Sequence, residues 1–230
     1  MSEDSNRKGA RALAARALAR GDATGWFEEL YATASSANEV PWADLTPNPV
    51  LVSWLTQYGA QGAGRRALKV GAGLGDDAEA LADHGFAVTA FDIAPTAVAW
   101  ARRRFPQSSV DFRVADALAP PTEWRREFDF ILESYTLQVL PPFLRPVAAQ
   151  AIIDMLAPAG MLLVIARGRD VSEDEGAMPW PLTPDELRTL FAQLELVRFE
   201  DFLDDEQPPV RRLRAEFRPH AATVNAADSR

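Results

Sequence analysis

Between Ala67 and Arg167, short apolar runs alternate with longer amphipathic stretches. The apolar runs read ALKV (67–70), AVTAFD (87–92), VDFRVAD (110–116), FDFILES (128–134) and MLLVIAR (161–167). Runs of this length, rich in aliphatic side chains, are typical of strands buried on both faces of a parallel sheet. The stretches between them predict helices by their period, and they read DDAEALADHG (76–85), APTAVAWARRRF (94–105) and PPFLRPVAAQAIIDMLAPAG (141–160). The alternation predicts an α/β protein.

The segments before and after this alternating region predict further elements. LELVRFEDFLD (194–204) and PPVRRLRAEFR (208–218) alternate apolar and polar residues, which favours an antiparallel hairpin at the sheet edge. Thr183 and Glu186 have the spacing of a capping box before a helical stretch. We therefore predict a doubly wound, mostly parallel, seven-stranded Rossmann-like sheet with an antiparallel edge hairpin. We expect it as one domain (46–218) between an N-terminal helical cap (1–45) and an unstructured tail (219–230).

Size and composition narrow the classes of function. The 230 residues suffice for one sizeable core, and the net charge of -9 argues against a general affinity for nucleic acid or anionic membranes. No apolar run approaches the roughly 20 residues that span a bilayer, and the N-terminus lacks an apolar signal segment, so we expect a cytoplasmic protein. The sequence has no cysteine, and neither His84 nor His220 lies in a catalytic context. We therefore expect no metal site and no thiol nucleophile.

A glycine-rich turn follows the first predicted strand. Its glycines are Gly71, Gly73 and Gly75, and two carboxylates, Asp76 and Asp77, come next. A dinucleotide-binding turn would place pyrophosphate at this helix start. A carboxylate about 6 Å from a phosphate charge costs on the order of 3 kcal/mol at an effective dielectric of 20. Capping of the helix explains at least one of the two acids. We expect the ligand group at this turn not to be an anion.

Two further acids end the next two predicted strands. Asp92 follows the second strand, where an acid can accept hydrogen bonds from both hydroxyls of a ribose. Asp116 follows the third strand, where a carboxylate can accept from an exocyclic amine such as that of adenine. Together with the turn, these acids predict an adenosine lying across the first three strands. A cationic or zwitterionic group would then lie at the glycine turn.

The glycine turn, Asp92, VADAL (114–118) and FDFILESYTLQVLPP (128–142) occur in the order seen in a known family. With LAPAGMLLVIARG (156–168), they resemble the class I S-adenosylmethionine-dependent methyltransferases, over about Trp42 to Phe217. The opening PWADLTPNPVL (41–51) is similar to the small-molecule branch that includes thiopurine and thiocyanate or halide methyltransferases. The resemblance implies S-adenosylmethionine as the cofactor and a small-molecule methyl acceptor as the partner.

The resemblance also implies roles for single residues. Contacts to the methionine part are implied for Gly71, Ala72, Gly73, Gly75, Asp76, Asp77, Glu133 and Ser134, contact to the ribose for Asp92, and contacts to the adenine for Ile93, Asp116 and Ala117. Lys69 departs from the pattern, because the family commonly has an acid at that position. Lys69 either points away, pairs with an acid such as Glu133, or weakens cofactor binding, and Asp76 or Asp77 is a candidate to replace the missing charge.

Methyl transfer from a sulfonium is an in-line displacement that needs positioning and exclusion of water more than a strong base. The candidate catalytic residues, should a base be needed, are Glu133 and Tyr135. The candidate substrate-pocket residues are Trp26, Trp42, Tyr135, Gln138, Arg167 and Trp180. Arg167 either attracts an anionic substrate or forms a salt bridge with acids of the loop 168–183. The pocket predicts a small aromatic or heteroaromatic acceptor of a methyl group on S, N or O.

Two other functions remain open at this stage. A non-catalytic cofactor-binding or regulatory protein would explain Lys69 as the mark of a decayed site. A nicotinamide-dependent oxidoreductase would share the sheet, but Asp76 and the lack of an obvious catalytic pair disfavour it.

Overall fold

The computed structural model describes residues 3–58 and 62–220. Within these residues the chain forms seven α-helices: α1 (Glu3–Ala19), α2 (Trp26–Thr33), α3 (Pro49–Gln57), α4 (Asp76–Asp83), α5 (Pro95–Arg104), α6 (Arg145–Met155) and α7 (Pro184–Leu190). The strands are β1 (Arg66–Val70), β2 (Ala87–Asp92), β3 (Asp111–Val114), β4 (Phe128–Ser134), β5 (Leu156–Arg167), β6 (Leu194–Leu203) and β7 (Arg211–Pro219). The predicted tail lies outside the described residues, except for its first two positions.

The strands form one seven-stranded sheet in the order β3-β2-β1-β4-β5-β7-β6. The pairs from β3 to β5 are parallel, and β7 pairs antiparallel with both β5 and β6. This confirms the doubly wound sheet and the edge hairpin. The strand order reverses between β1 and β4, so the carboxyl ends of these two strands open the crevice where such sheets bind ligands.

Apolar side chains cover both faces of the sheet. The strand β4 is buried over nearly its whole length, as its sequence predicted, and Leu68, Ile131 and Leu162 lie in the core on one face. Phe130, Leu163 and Trp54 lie on the other face, where Trp54 stacks on Phe130 with ring centroids 5.4 Å apart. This packing fixes the strand ends that carry the polar residues of the site.

The helix predicted over 141–160 is shorter than expected. It begins at Arg145, with Pro146 in its first turn, and the chain enters β5 at Leu156. Pro158 disfavours helical geometry at Ala157, and Leu156 pairs with Phe128 of β4 instead. The capping box of Thr183 and Glu186 is present as predicted.

The N-terminal helices pack over the carboxyl ends of the strands. Ala10, Ala14 and Ala17 of α1 form a cluster with Trp26 and Leu30 of α2. This cluster also includes Leu74 of the glycine turn, Ala94 and Ala97 around the start of α5, and Met178 of the loop before α7. The Glu28 carboxylate accepts hydrogen bonds from the Thr96 backbone N–H (2.9 Å) and hydroxyl (2.6 Å), which caps α5. The helices α1 and α2 therefore cover the predicted site, and we call them its roof.

None of the helices in the described part of the chain has the length and apolar character needed to cross a bilayer.

Candidate active site

A cavity of about 460 Å³ lies between the carboxyl ends of the strands and the N-terminal helices. Its floor comes from the glycine turn and the ends of β2, β3, β4 and β5. Its roof comes from α1, α2 and the segment 41–49. The site therefore forms where the strand order reverses, as the sequence predicted.

Backbone conformation explains the glycines of the turn. Gly71 and Gly73 line the cavity with φ angles of 64° and 53°, in the left-handed region that other residues rarely adopt. A Cβ on Gly71 would come within 2.2 Å of the Thr136 hydroxyl. Gly75 (φ 97°) does not reach the cavity, because its Cα faces Phe105 and Phe112. In this structure Gly75 therefore has a packing role, and its contact with the cofactor stays a prediction.

Asp92 lies at the end of β2, lines the cavity and is 8% exposed. Its carboxylate accepts hydrogen bonds from the Gly73 N–H (2.9 Å) and the Ala94 N–H (3.0 Å). Burial raises its pKa, and these two N–H groups and the Lys69 ammonium oppose the rise. Each oxygen keeps acceptor capacity for a further donor. The carboxylate is therefore oriented by the turn that it helps to hold.

The two acids after the turn are each neutralised by a cation. Arg104 of α5 binds Asp76 in a two-pronged ion pair (2.7 and 2.8 Å). Asp77 lies 3.8 Å from the Lys69 ammonium and accepts from the Asn48 N–H and the Ser134 hydroxyl, both at 2.8 Å. The expectation that two unpaired charges repel a phosphate here was therefore wrong in its premise. No signal in the sequence indicated the pair with Arg104, because Arg104 comes from α5, which is distant in sequence.

Lys69 is buried and pairs with Asp77 rather than with Glu133. Its ammonium also donates to the carbonyls of Val70 (2.8 Å) and Gly71 (3.0 Å). These hydrogen bonds from Lys69, a residue of β1, stabilise the start of the glycine turn. Asp77 does not supply an uncompensated negative charge in place of the family's usual acid.

The predicted adenine contacts lie together on the cavity wall. Ile93, Asp116 and Ala117 all line it, next to Asp92. The Asp116 carboxylate accepts from the Leu118 N–H at 2.8 Å, which holds it at the end of β3. Ala72 and Ser134 also line the cavity.

Glu133 does not reach the cavity, contrary to both of its predicted roles. Its carboxylate is fully buried, and Oε1 accepts from the backbone N–H groups of Thr136 (2.8 Å) and Leu137 (2.9 Å). Oε2 is buried and has no hydrogen-bond partner among the described residues. Burial raises the pKa of Glu133 to about 7. The acid shapes the loop after β4 and has no path to a substrate.

The wall after β4 and β5 carries the other predicted pocket residues. Tyr135, Gln138 and Arg167 line the cavity, and Gln138 accepts from the Arg167 backbone N–H at 2.8 Å. Burial raises the pKa of Tyr135, so its hydroxyl stays protonated near neutral pH and is not available as a base. The guanidinium of Arg212 lies 5.3 Å from the centroid of the Tyr135 ring.

Only one of the three predicted tryptophans lines the cavity. Trp42 does so, and its indole N–H donates to the Tyr31 hydroxyl at 2.8 Å. Trp26 is buried behind it and stacks on Phe27. Trp180 packs with the N-terminal cluster, so Met178 and Pro179 of the same loop reach the cavity instead. Trp26 and Trp180 do not line the cavity, because their large rings pack in the apolar interior of the roof.

Residues 67–160 match the sequence model of a family described as a methyltransferase domain. This part of the chain is therefore similar to a methyltransferase domain. The match covers the glycine turn, Asp92, Asp116 and β4, which are the elements that build the floor of the cavity. Together with the fold, the match makes this chain similar to methyltransferases that use S-adenosylmethionine as cofactor.

Solved structures support the same fold. One, reported for the conversion of a disulfide bond into a thioacetal group during echinomycin biosynthesis, is 24% identical and has a TM-score of 0.70, covering 87% of this chain and 93% of that one. N-methyltransferase NodS from Bradyrhizobium japonicum, solved with S-adenosylhomocysteine, is 23% identical with a TM-score of 0.66 (87% and 100%). A 1,6-didemethyltoxoflavin N1-methyltransferase from Burkholderia thailandensis is 20% identical with a TM-score of 0.59 (75% and 77%).

The residues of the methyltransferase site fit this cofactor. The glycine backbone leaves room for close approach at Gly71 and Gly73, since a Cβ there would narrow the cavity or meet Thr136. The Asp92 carboxylate is buried and needs donors to favour its charged form, which ribose hydroxyls provide. The site therefore fits a nucleoside near the end of β2 and a compact polar group at the glycine turn.

Sequence reasoning missed several residues of the cavity wall, namely Arg7, Arg11, Phe27, Tyr31, Asn48, Met178 and Arg212. The signal for Arg212 was present. Arg212, Arg214 and Glu216 alternate along β7 and are all buried, which marks a polar face turned inward. The N-terminal residues left no such signal, because α1 and α2 reach the site only through tertiary packing.

Proposed function

We propose that this methyltransferase methylates a nucleophilic S, N or O atom of a small aromatic or heteroaromatic molecule. One observation carries the proposal: a single cavity runs from the glycine turn and Asp92 to a wall that contains Phe27, Trp42 and Tyr135. Its volume of about 460 Å³ falls within the range of small-molecule sites. It suits a small acceptor beside the cofactor.

The proposed division of the cavity follows its chemistry. Asp92 binds the ribose hydroxyls, and Ile93, Asp116 and Ala117 bind the adenine. Gly71, Ala72, Gly73 and Ser134 surround the methionine part, with Asp76 and Asp77 holding the turn through their ion pairs. When bound, S-adenosylmethionine supplies an electrophilic methyl group. The acceptor occupies the half bounded by Trp42, Tyr135, Gln138 and Arg167.

The chain contributes positioning rather than proton removal. Glu133 is out of reach, and the hydroxyl of Tyr135 has a raised pKa. The acceptor therefore arrives as a ready nucleophile, such as a thiolate, an amine or an acidic phenolate. The roof of α1 and α2 excludes water, and the aromatic wall holds the acceptor in line, which is the main requirement of a displacement reaction.

The test is turnover. Purified protein, S-adenosylmethionine and a panel of aromatic thiols, amines and phenols should yield S-adenosylhomocysteine and a methylated product, both measured by mass spectrometry. Tight cofactor binding without turnover on any member of the panel would favour the non-catalytic alternative. Preferential binding of a nicotinamide cofactor would favour the oxidoreductase.

A further inference from the structure

An arginine without an anionic partner faces the acceptor half of the cavity. Arg167 ends β5, is half-buried and lines the cavity. Among the residues that the structure describes, no carboxylate lies within ion-pair distance of its guanidinium and no carbonyl accepts from it. The expected salt bridge with the loop 168–183 is absent from this described part of the chain.

The other buried arginines of the sheet and its loops are all satisfied. Arg212 pairs with Asp204 at 2.6 Å and with Glu206. Arg214 pairs with Glu200 and donates to the Val50 carbonyl. Arg169 pairs with Glu186 at 2.6 Å, and Arg145 donates to three backbone carbonyls. Arg167 therefore differs from these four arginines, because its guanidinium has no such partner among the described residues.

Three acids of the nearby loop, Asp170, Glu173 and Glu175, have partners other than Arg167. Asp170 accepts from the N–H and hydroxyl of Ser172 and lies 3.8 Å from Arg211. Glu173 accepts from the Asp170 N–H, and Glu175 lies 3.5 Å from Arg169. Glu206 lines the cavity but is paired with Arg212. A ligand can therefore neutralise Arg167 without displacing an acid from it.

The surroundings of Arg167 make its positive charge costly. Burial is the main cause that lowers its pKa, the guanidinium of Arg212 adds to the effect, and the Glu206 carboxylate, which is not within ion-pair distance, opposes it. A guanidinium nonetheless stays charged in proteins. A half-buried cation beside another cation is stabilised by an anion in reach, and the planar guanidinium fork matches a carboxylate through two parallel hydrogen bonds.

We propose that the methyl acceptor carries a carboxylate and that Arg167 binds it; this rests on the proposed function. The Gln138 side chain accepts a hydrogen bond from the Arg167 backbone N–H, which fixes the backbone position from which the guanidinium extends. With the carboxylate at Arg167, the ring of the acceptor lies along Tyr135 and its nucleophile points towards the glycine turn. The substrate class is thus a small aromatic or heteroaromatic monocarboxylate.

The experiment compares matched acids and amides. The probes are 2-mercaptobenzoate, 2-aminobenzoate and 4-hydroxybenzoate, each beside its carboxamide. For the wild type, we expect kcat/KM to be at least tenfold higher for an acid than for its amide. Arg167→Gln should raise KM for the acids at least tenfold, change KM for the amides much less, and leave the Kd of S-adenosylhomocysteine unchanged. Arg167→Lys should restore part of the preference, since it keeps the charge and loses the fork.

Arg113→Gln is the control, because Arg113 is an exposed arginine on β3 that pairs with Asp111 away from the cavity. A second readout is calorimetric binding of the same acids in the presence of S-adenosylhomocysteine. Acid binding that Arg167→Gln abolishes, without any turnover, would keep the carboxylate site and refute the proposed function. An acid-to-amide ratio that is unaffected by Arg167→Gln, or no advantage of any acid in either assay, would overturn the carboxylate site.

Discussion

Single side chains set the electrostatics of the cofactor end of the cavity. Lys69 and Arg104 reach Asp77 and Asp76 from β1 and α5, so the acidic turn carries two cations with its two acids. The Asp92 carboxylate, at the end of the neighbouring strand β2, has no such ion pair among the described residues and accepts from the backbone N–H groups of Gly73 and Ala94. Asp92 is thus the acid at this end with the most to gain from a ligand's hydroxyl groups.

Asp92→Asn tests this at the residue scale. We expect S-adenosylhomocysteine to bind about 1.5 to 3 kcal/mol more weakly, since bonds to a charged acceptor contribute that much. This equals a roughly 10- to 150-fold higher Kd, measured by calorimetry. Asp111→Asn is the control, because Asp111 is an exposed acid at the start of β3. An unchanged Kd in Asp92→Asn would remove Asp92 from the cofactor site.

Glu133 gives a prediction on stability and pH. Its pKa is about 7 in the folded protein against an ordinary value of 4.5, because its carboxylate is buried. The folded state therefore holds the proton more strongly than the unfolded state. Stability from this group is fully present below about pH 4.5 and is lost as the pH rises to about 7, by on the order of 3 kcal/mol.

The measurement is urea unfolding at several pH values between 5 and 8, for the wild type and for Glu133→Gln. The variant keeps a side-chain acceptor for Thr136 and Leu137 and removes the ionisation. The free energy of unfolding of the wild type should fall relative to the variant as the pH rises. A difference that stays constant over this range would show that Glu133 does not titrate there.

At the scale of elements, the sequence predicted the parts whose patterns are local. The alternation of β6 and β7 and the capping box at Thr183 depend on neighbouring residues, and both are present. The end of α6 was misplaced because Leu156 exchanges helical bonding for pairing with Phe128, which is distant in sequence. Helices and strands can be predicted from local sequence unless a residue distant in sequence competes for the same backbone hydrogen bonds.

The contact between α2 and α5 yields a prediction for the roof. Ala94, at the N-cap of α5, makes no side-chain capping bond, and Glu28 of α2 supplies it through Thr96. Glu28→Ala should therefore cost about 1 to 2 kcal/mol, the usual value of a helix cap. Hydrogen exchange should rise in α2 and in the first turn of α5, while the central strands stay protected.

Glu29→Ala is the matched control. Glu29 is the next residue, and its side chain forms an exposed ion pair with Arg16 at 3.3 Å, a type that contributes less than about 1 kcal/mol. Equal exchange in the two variants would show that Glu28 does not fasten the roof.

At the scale of the whole molecule, the cofactor half of the site was more predictable than the acceptor half. The glycine turn, Asp92 and Asp116 lie at strand ends, and a parallel sheet brings such ends together. The roof residues Phe27 and Tyr31 come from α2, and no sequence spacing ties them to β4 or β5. The acceptor wall is therefore a product of packing between distant segments, which a single sequence does not encode locally.

Cofactor binding should stabilise the whole fold. S-adenosylhomocysteine at 100 times its Kd should add about 2.7 kcal/mol to the free energy of unfolding. For a chain of this size, this raises Tm by roughly 5 to 10 °C in a thermal-shift assay. NAD at the same concentration should give a smaller shift. A larger shift with NAD would contradict the assignment of the cofactor half.

Methyl transfer should proceed without a divalent metal. In residues 3–58 and 62–220, no three His, Asp or Glu side chains are grouped so that they could hold a metal ion. Three acids of the loop 168–183, Asp170, Glu173 and Glu175, are held by a backbone N–H, by Ser172 and by arginines. Oxygen ligands for Mg²⁺ would have to leave these partners. A displacement by a ready nucleophile also has no step that requires a Lewis acid.

We therefore expect exhaustive chelation with EDTA to leave kcat and KM unchanged, measured on an acceptor that the wild type methylates. Added Mg²⁺ or Ca²⁺ should not raise the rate. The control is the Tm of the chelated protein, which separates loss of a catalytic ion from loss of fold. If chelation abolishes turnover at unchanged Tm and Mg²⁺ restores it, carboxylates of the chain bind a metal during the reaction. The mechanism would then shift from positioning a ready nucleophile to metal-assisted deprotonation of a hydroxyl.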